Sequence, residues 1–129
     1  MDQALPPEAQ EKLEKIQELQ EQIEQISVQK TESEKEIDDT ERALETLRDT
    51  DEGTEVHRSV GNVMVKADRQ ETIDELEEKQ ESLEVRIESL KKKEEKAEEQ
   101  FENLQEDLQQ MLGGMGGGMM GGAGGPGAQ

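Results

Sequence analysis

Val60-Gly61-Asn62-Val63-Met64-Val65-Lys66, or VGNVMVK, is the stretch that decides how this chain folds. Gly61-Asn62 is a two-residue turn of residues that tolerate positive φ, and apolar residues alternate with polar ones on either side of it. The spacing predicts a β-hairpin with strands over Val56–Val60 and Val63–Ala67. In that register Val56, Arg58, Val60, Val63, Val65 and Ala67 share one face, while His57, Ser59, Met64 and Lys66 share the other.

A lone two-stranded hairpin is marginal in water and leaves two edges of unbonded N–H and C=O groups. Nothing in the surrounding sequence is expected to lie beneath its apolar face. The physical remedy is pairing with hairpins of other subunits into a sheet or closed barrel with the valines inside. Each buried valine contributes on the order of 1.5–3 kcal/mol. Val56, Val60, Gly61, Val63, Met64 and Val65 are therefore the candidate oligomerisation residues. The competing reading is a local connector, or a strand lying along its own helices; a connector needs neither alternation nor valines.

Outward from the hairpin the pattern becomes helical. Before it, one row reads Ala9, Ile16, Ile23, Lys30, Ile37, Leu44, and the row three residues on reads Lys12, Leu19, Ile26, Ser33, Thr40, Leu47. After it the rows read Ile73, Gln80, Ile87, Glu94, Phe101, Leu108 and Leu76, Leu83, Leu90, Ala97, Leu104, Met111. These are a and d positions of coiled-coil seams with a polar centre. Pro6 and Pro7 belong before or in a first turn. The run Asp49 to Gly53 is a stop, Asp68 and Glu71 have capping-box spacing, and Gly113 permits a left-handed helix end.

The expected division is a lead-in at 1–7, a helix at 8–48, an acidic turn and hairpin at 49–68, a helix at 69–112, and a disordered Gly/Met-rich tail at 113–129. Folded back so that paired positions total about 117, each a row meets the other a row. The fold class is mostly α: a long antiparallel two-helix coiled coil, each helix ~60 Å, with a single β-hairpin between the helices that pairs with other subunits.

Composition agrees. Only 29% of the 129 residues are apolar and Phe101 is the sole aromatic, too little for a globular core. The net charge of -19 argues against nucleic acid as a partner. The acids are spread along the chain, which suits a surface for concentrated salt better than a tail for a basic partner. There is no Cys, no apolar run near the ~20 residues of a membrane span, and no signal peptide in MDQALPPEAQ, so a cytoplasmic location is expected.

Enzyme signatures are missing. The Gly-rich run lacks a following Lys-Ser/Thr, His57 stands without Cys or a second His, and the Gly of Asp49 to Gly53 falls one position early for a calcium loop. No catalytic residue, cofactor or metal is expected.

The end of the coiled coil far from the hairpin is its richest in apolar residues. Leu5, Leu13, Ile16, Phe101, Leu104, Leu108, Met111 and Leu112 form a strip wider than a seam, suited to promiscuous apolar binding or to closing the coil. Met115, Met119 and Met120 give the tail a possible weak apolar contact. The polar seam residues Lys30, Ser33, Thr40, Gln80 and Glu94 set register or weaken the coil.

Heptads, an acidic turn, a segment like VHRSVGNVMVK and a returning helix of similar length together resemble archaeal prefoldin subunits over residues 5 to 112. The most specific piece is Val60 to Lys66. About twenty residues separate the helices, room for one hairpin, which fits the beta type; the alpha type is expected to carry two. His57 departs from the resemblance, which expects an aromatic such as Tyr there. The resemblance implies a hexamer of two alpha and four beta subunits whose hairpins form a double barrel. It also implies an ATP-independent chaperone that holds non-native client proteins at the coiled-coil tips and delivers them to a group II chaperonin. The alternative function is a structural coiled-coil adaptor for one native partner.

Overall fold

The computed structural model describes residues 5–124, with side chains over 5–114. Helix α1 (Pro7–Asp49) is followed by strands β1 (Val56–Val60) and β2 (Val63–Ala67) and by helix α2 (Arg69–Gly124). This is the expected architecture of two long helices with an antiparallel two-stranded hairpin between them. The chain forms two compact units, Val28–Lys91 and Met1–Ser27 with Lys92–Gln129.

Each element starts where the local chemistry puts it. The Pro6 carbonyl accepts the Gln10 N–H at 3.0 Å, so Pro7 takes the first helical position, where its missing N–H costs nothing. At α2, Asp68 caps: its Oδ2 accepts the Glu71 N–H at 2.9 Å and its carbonyl accepts the Thr72 N–H at 3.0 Å. Gly113 behaves differently from the expectation. Among the described residues only Gly61 has positive φ, and α2 continues past Gly113 to Gly124. A glycine permits a left-handed cap without requiring one. Residues 125–129, and the side chains of Met115, Met119 and Met120, lie outside the described residues.

Burial repeats with the heptad. Every a and d position of both helices is buried or half-buried, from Ala9 (0% exposed) to Met111. In the unit Val28–Lys91 the seam includes two hydroxyl residues, Ser33 and Thr40, at 2% and 3% exposure. Thr40 Oγ1 donates to the Glu36 carbonyl at 2.8 Å, so this polar group is satisfied within its own helix. Late α1 ties to early α2 through Glu36–Lys79 at 3.7 Å, Gln80 Nε2 to Glu41 at 3.0 Å, and Arg48–Glu77. In the other unit early α1 ties to late α2 through Lys12–Asp107 at 3.8 Å. The helices are antiparallel in each unit. Exposed pairs of this kind contribute little; the apolar seam residues carry the stability.

The reversal between α1 and the hairpin has its own fastener. Thr50 folds back on the Leu47 carbonyl through its N–H (3.2 Å) and hydroxyl (2.7 Å). The Arg69 guanidinium then spans the gap. Nη1 donates to Thr50 Oγ1 at 2.7 Å and to the Asp51 carbonyl at 3.0 Å, and Nη2 donates to the Thr50 carbonyl at 3.0 Å. One planar, permanently charged fork thus satisfies backbone oxygens just beyond the end of α1.

Replacing Arg69 with Met keeps much of the stem and removes the fork. It is expected to cost about 2 kcal/mol, seen as a lower thermal midpoint in circular dichroism, and Arg69→Lys should restore only part of it. Arg58→Met, which breaks an exposed pair, should cost less than about 1 kcal/mol.

Candidate functional site

The hairpin belongs to the unit Val28–Lys91 and is built on its turn. Gly61 has φ of 61° and Asn62 has a negative φ, which is the type II′ pattern, with glycine at the first central position. That turn sets the register: Val56 opposite Ala67, His57 opposite Lys66, Arg58 opposite Val65, Ser59 opposite Met64 and Val60 opposite Val63. The two faces expected from alternation are therefore formed.

Exposure grades along the valine face. Val56 is 8% exposed, Val65 42%, Val60 54% and Val63 60%. The reading that nothing lies beneath this face is corrected at its base. Val56 sits with Ala43, Leu47, Thr72 and Leu76 in a groove floored by the two helices. The reason is tethering: β2 ends one residue before α2 begins, and Arg58 reaches Glu75 at 2.7 Å. Val56 is thus part of this chain's own core. Val60, Gly61, Val63, Met64 and Val65 are all exposed, Met64 at 66% on the opposite face. Among the described residues no third strand lies beside their backbone edges.

His57, opposite Lys66, holds a bridging carboxylate. Its Nε2 lies 3.5 Å from Glu55 Oε1, and Lys66 Nζ lies 3.9 Å from Glu55 Oε2. The residue expected to be aromatic is therefore part of a polar, exposed cluster on the strand surface.

The apolar end belongs to the other unit. Ile16 is buried at 7% and fills the seam. Leu13 is 38% exposed, and Leu5, Phe101, Leu104, Leu108, Met111 and Leu112 are half-buried. Phe101 and Ile23 share a groove walled by Gln20, Glu24, Glu98, Glu102 and Gln105. Sequence reasoning had not placed Ile23 in this strip; its position in the a row, one layer from Phe101, was the available signal.

Sequence reasoning also passed over Arg69. The available signal was a cation in the first turn of a helix, where the macrodipole disfavours it; such a residue has a partner elsewhere. Among the described residues no three His, Asp or Glu side chains converge as a metal site, and no helix is long and apolar enough to cross a membrane.

Residues 10–115 match the family model of the prefoldin subunit. The prefoldin subunit beta of Archaeoglobus fulgidus is 40% identical over 91 residues, covering 70% of this chain and 78% of that protein. The prefoldin subunit beta of Halobacterium salinarum is 48% identical over 75 residues, covering 58% of this chain and 60% of that protein. The crystal structure of the prefoldin beta subunit from Thermococcus strain KS-1 superposes with a TM-score of 0.75 at 30% identity, covering 86% of this chain and 97% of that one.

The two ends of the valine face should respond differently to truncation. Val56→Ala is expected to lower the stability of the chain by about 2 kcal/mol, while Val63→Ala leaves it within about 0.5 kcal/mol. Urea unfolding of the separated subunit measures both.

Proposed function

The chain belongs to the prefoldin subunit family, as a beta subunit of archaeal type, and from that premise we propose that it is one part of a hetero-oligomeric, ATP-independent holdase. Prefoldin subunits are chaperone components. The proposed complex contains two alpha and four beta subunits, works in the cytoplasm, holds non-native proteins at the coiled-coil ends and passes them to a group II chaperonin. The observation that carries the reading is the hairpin: its turn end is exposed, no third strand among the described residues pairs with it, and Val60, Val63 and Val65 stand at 42–60% exposure. An exposed apolar strand face with open edges is a surface suited to cover by another chain.

The client surface in this proposal is what the coil leaves uncovered at its apolar end. Leu13, with the half-buried Leu5, Phe101, Leu104, Leu108, Met111 and Leu112, offers adaptable side chains to many partners. Ile16 supports them from inside. The same half-burial favours a second reading, a structural adaptor in which these residues close the coil and one native partner is bound. Native and denatured baits separate the two, since a holdase retains the denatured bait and an adaptor does not.

Co-expression with an alpha subunit, followed by mass measurement on the intact complex, tests the assembly. We expect a hexamer with the natural sequence and loss of that mass for Val63→Lys or Val65→Lys. Separately purified beta subunit should stay below hexamer size. The assembled complex should suppress aggregation of a denatured protein diluted into buffer, and the Val65→Lys subunit should not. A particle mass unmoved by either lysine would sink the assembly reading.

The acidic surface carries a proposal of its own. With 34 acidic and 15 basic residues the folded chain repels itself, and screening at molar salt relieves that repulsion. A high-salt setting is supported by the similarity to the Halobacterium salinarum protein. The thermal midpoint should rise steadily from about 0.1 M to about 2 M KCl; a flat or falling curve contradicts it.

A further inference from the structure

Four of the chain's 15 basic residues fall within one run of six, Lys91 to Lys96. In the unit formed by Met1–Ser27 and Lys92–Gln129, the residues Lys92, Lys93, Lys96, Gln100 and Asn103 are all exposed. Their spacing, i, i+1, i+4, i+8 and i+11, is one stripe of a helix. No Asp or Glu stands within that stripe, although Glu99 borders it. Glu98 and Glu102 lie on the other flank of α2, where they wall the Phe101 groove. The helix is split lengthwise into a cationic, amide-bearing side and a carboxylate side.

Glu95 and Glu99 stand three residues beyond Lys92 and Lys96, and with Glu98 and Glu102 they line a shallow surface hollow beside those two lysines. Yet among the described residues no carboxylate oxygen lies within 4.0 Å of Lys92, Lys93 or Lys96. By contrast Lys12, Lys15, Lys66 and Lys79 each have a carboxylate in that range. Lysines left open in a chain of net charge -19 are available to an anion from outside, and Gln100 and Asn103 extend the row with neutral donors.

We propose that the stripe Lys92, Lys93, Lys96, Gln100 and Asn103 docks a carboxylate-rich segment of a partner protein. The stripe runs ~16 Å along the helix axis, the length of about three helical turns, so it fits several consecutive acidic side chains. Carboxylate is favoured over phosphate because the surrounding acidic surface repels a densely charged polyanion most strongly. At ~0.15 M salt the screening length is ~8 Å, so distant glutamates matter little while charges in contact still attract.

The test is fluorescence anisotropy of a labelled oligoglutamate peptide titrated with the full chain at about 0.15 M salt. The triple variant Lys92→Gln, Lys93→Gln, Lys96→Gln should weaken binding by about tenfold. A charge-matched control, Lys15→Gln, Lys35→Gln, Lys79→Gln, should change it by less than about twofold. Circular dichroism confirms that both variants keep their helix content. Three results would each overturn the proposal: no binding by the natural chain, equal weakening by the control, or tighter binding of a single-stranded oligonucleotide than of the peptide.

Discussion

The guanidinium of Arg69 holds together the place where α1 ends and α2 begins. Helix α1 ends in a run of acidic and hydroxyl residues, and its last carbonyls need donors that the helix itself cannot supply. Arg69 supplies three hydrogen bonds to Thr50 and Asp51 from the first residue of α2. By fixing the start of one helix to the end of the other, it places the base of the hairpin over the helix ends. Val56 then has Ala43, Leu47 and Leu76 beneath it. The strands beyond Val56 have no such support and stand exposed. One charged side chain therefore separates the part of the hairpin that belongs to this chain's core from the part left open to other chains.

With under a third of its residues apolar, the chain spends about half of them on a narrow seam. This explains why Ser33 and Thr40 are tolerated there. Small hydroxyl side chains fill little volume, and Thr40 satisfies itself on its own helix at 2.8 Å. It also explains why the surface is so highly charged. A two-helix seam leaves most helix positions facing water, and a chain with 34 acidic residues has few other places to put them.

The helices, their caps at Pro7 and Asp68, and the hairpin register were legible because each rests on local chemistry: heptad spacing, a capping carboxylate, a glycine turn. The shelter of Val56 was not. It depends on the angle at which the strands leave the helix ends, which no spacing rule encodes. The expected stop at Gly113 rested on what glycine permits, whereas the described helix runs to Gly124. At the apolar end, Ile16 was legible as an a-row seam position and is buried at 7%, whereas the degree to which its neighbours Phe101 and Leu108 stay half-exposed depends on packing that heptad spacing does not encode. The exposed valines at 60, 63 and 65 were legible for the opposite reason: alternation in a strand with no partner face is a signal that survives without knowledge of packing.

Phe101 has one further consequence. The chain contains neither Trp nor Tyr, so this ring is its entire aromatic signal. It lies beside Ile23 in the groove walled by Glu98 and Glu102. A fluorine atom on that ring, or a single Phe101→Trp exchange, would give a spectroscopic probe with no background from the rest of the polypeptide. Occupancy of the groove then becomes readable in solution, even within a mixture of aromatic-rich proteins if the label is isotopic.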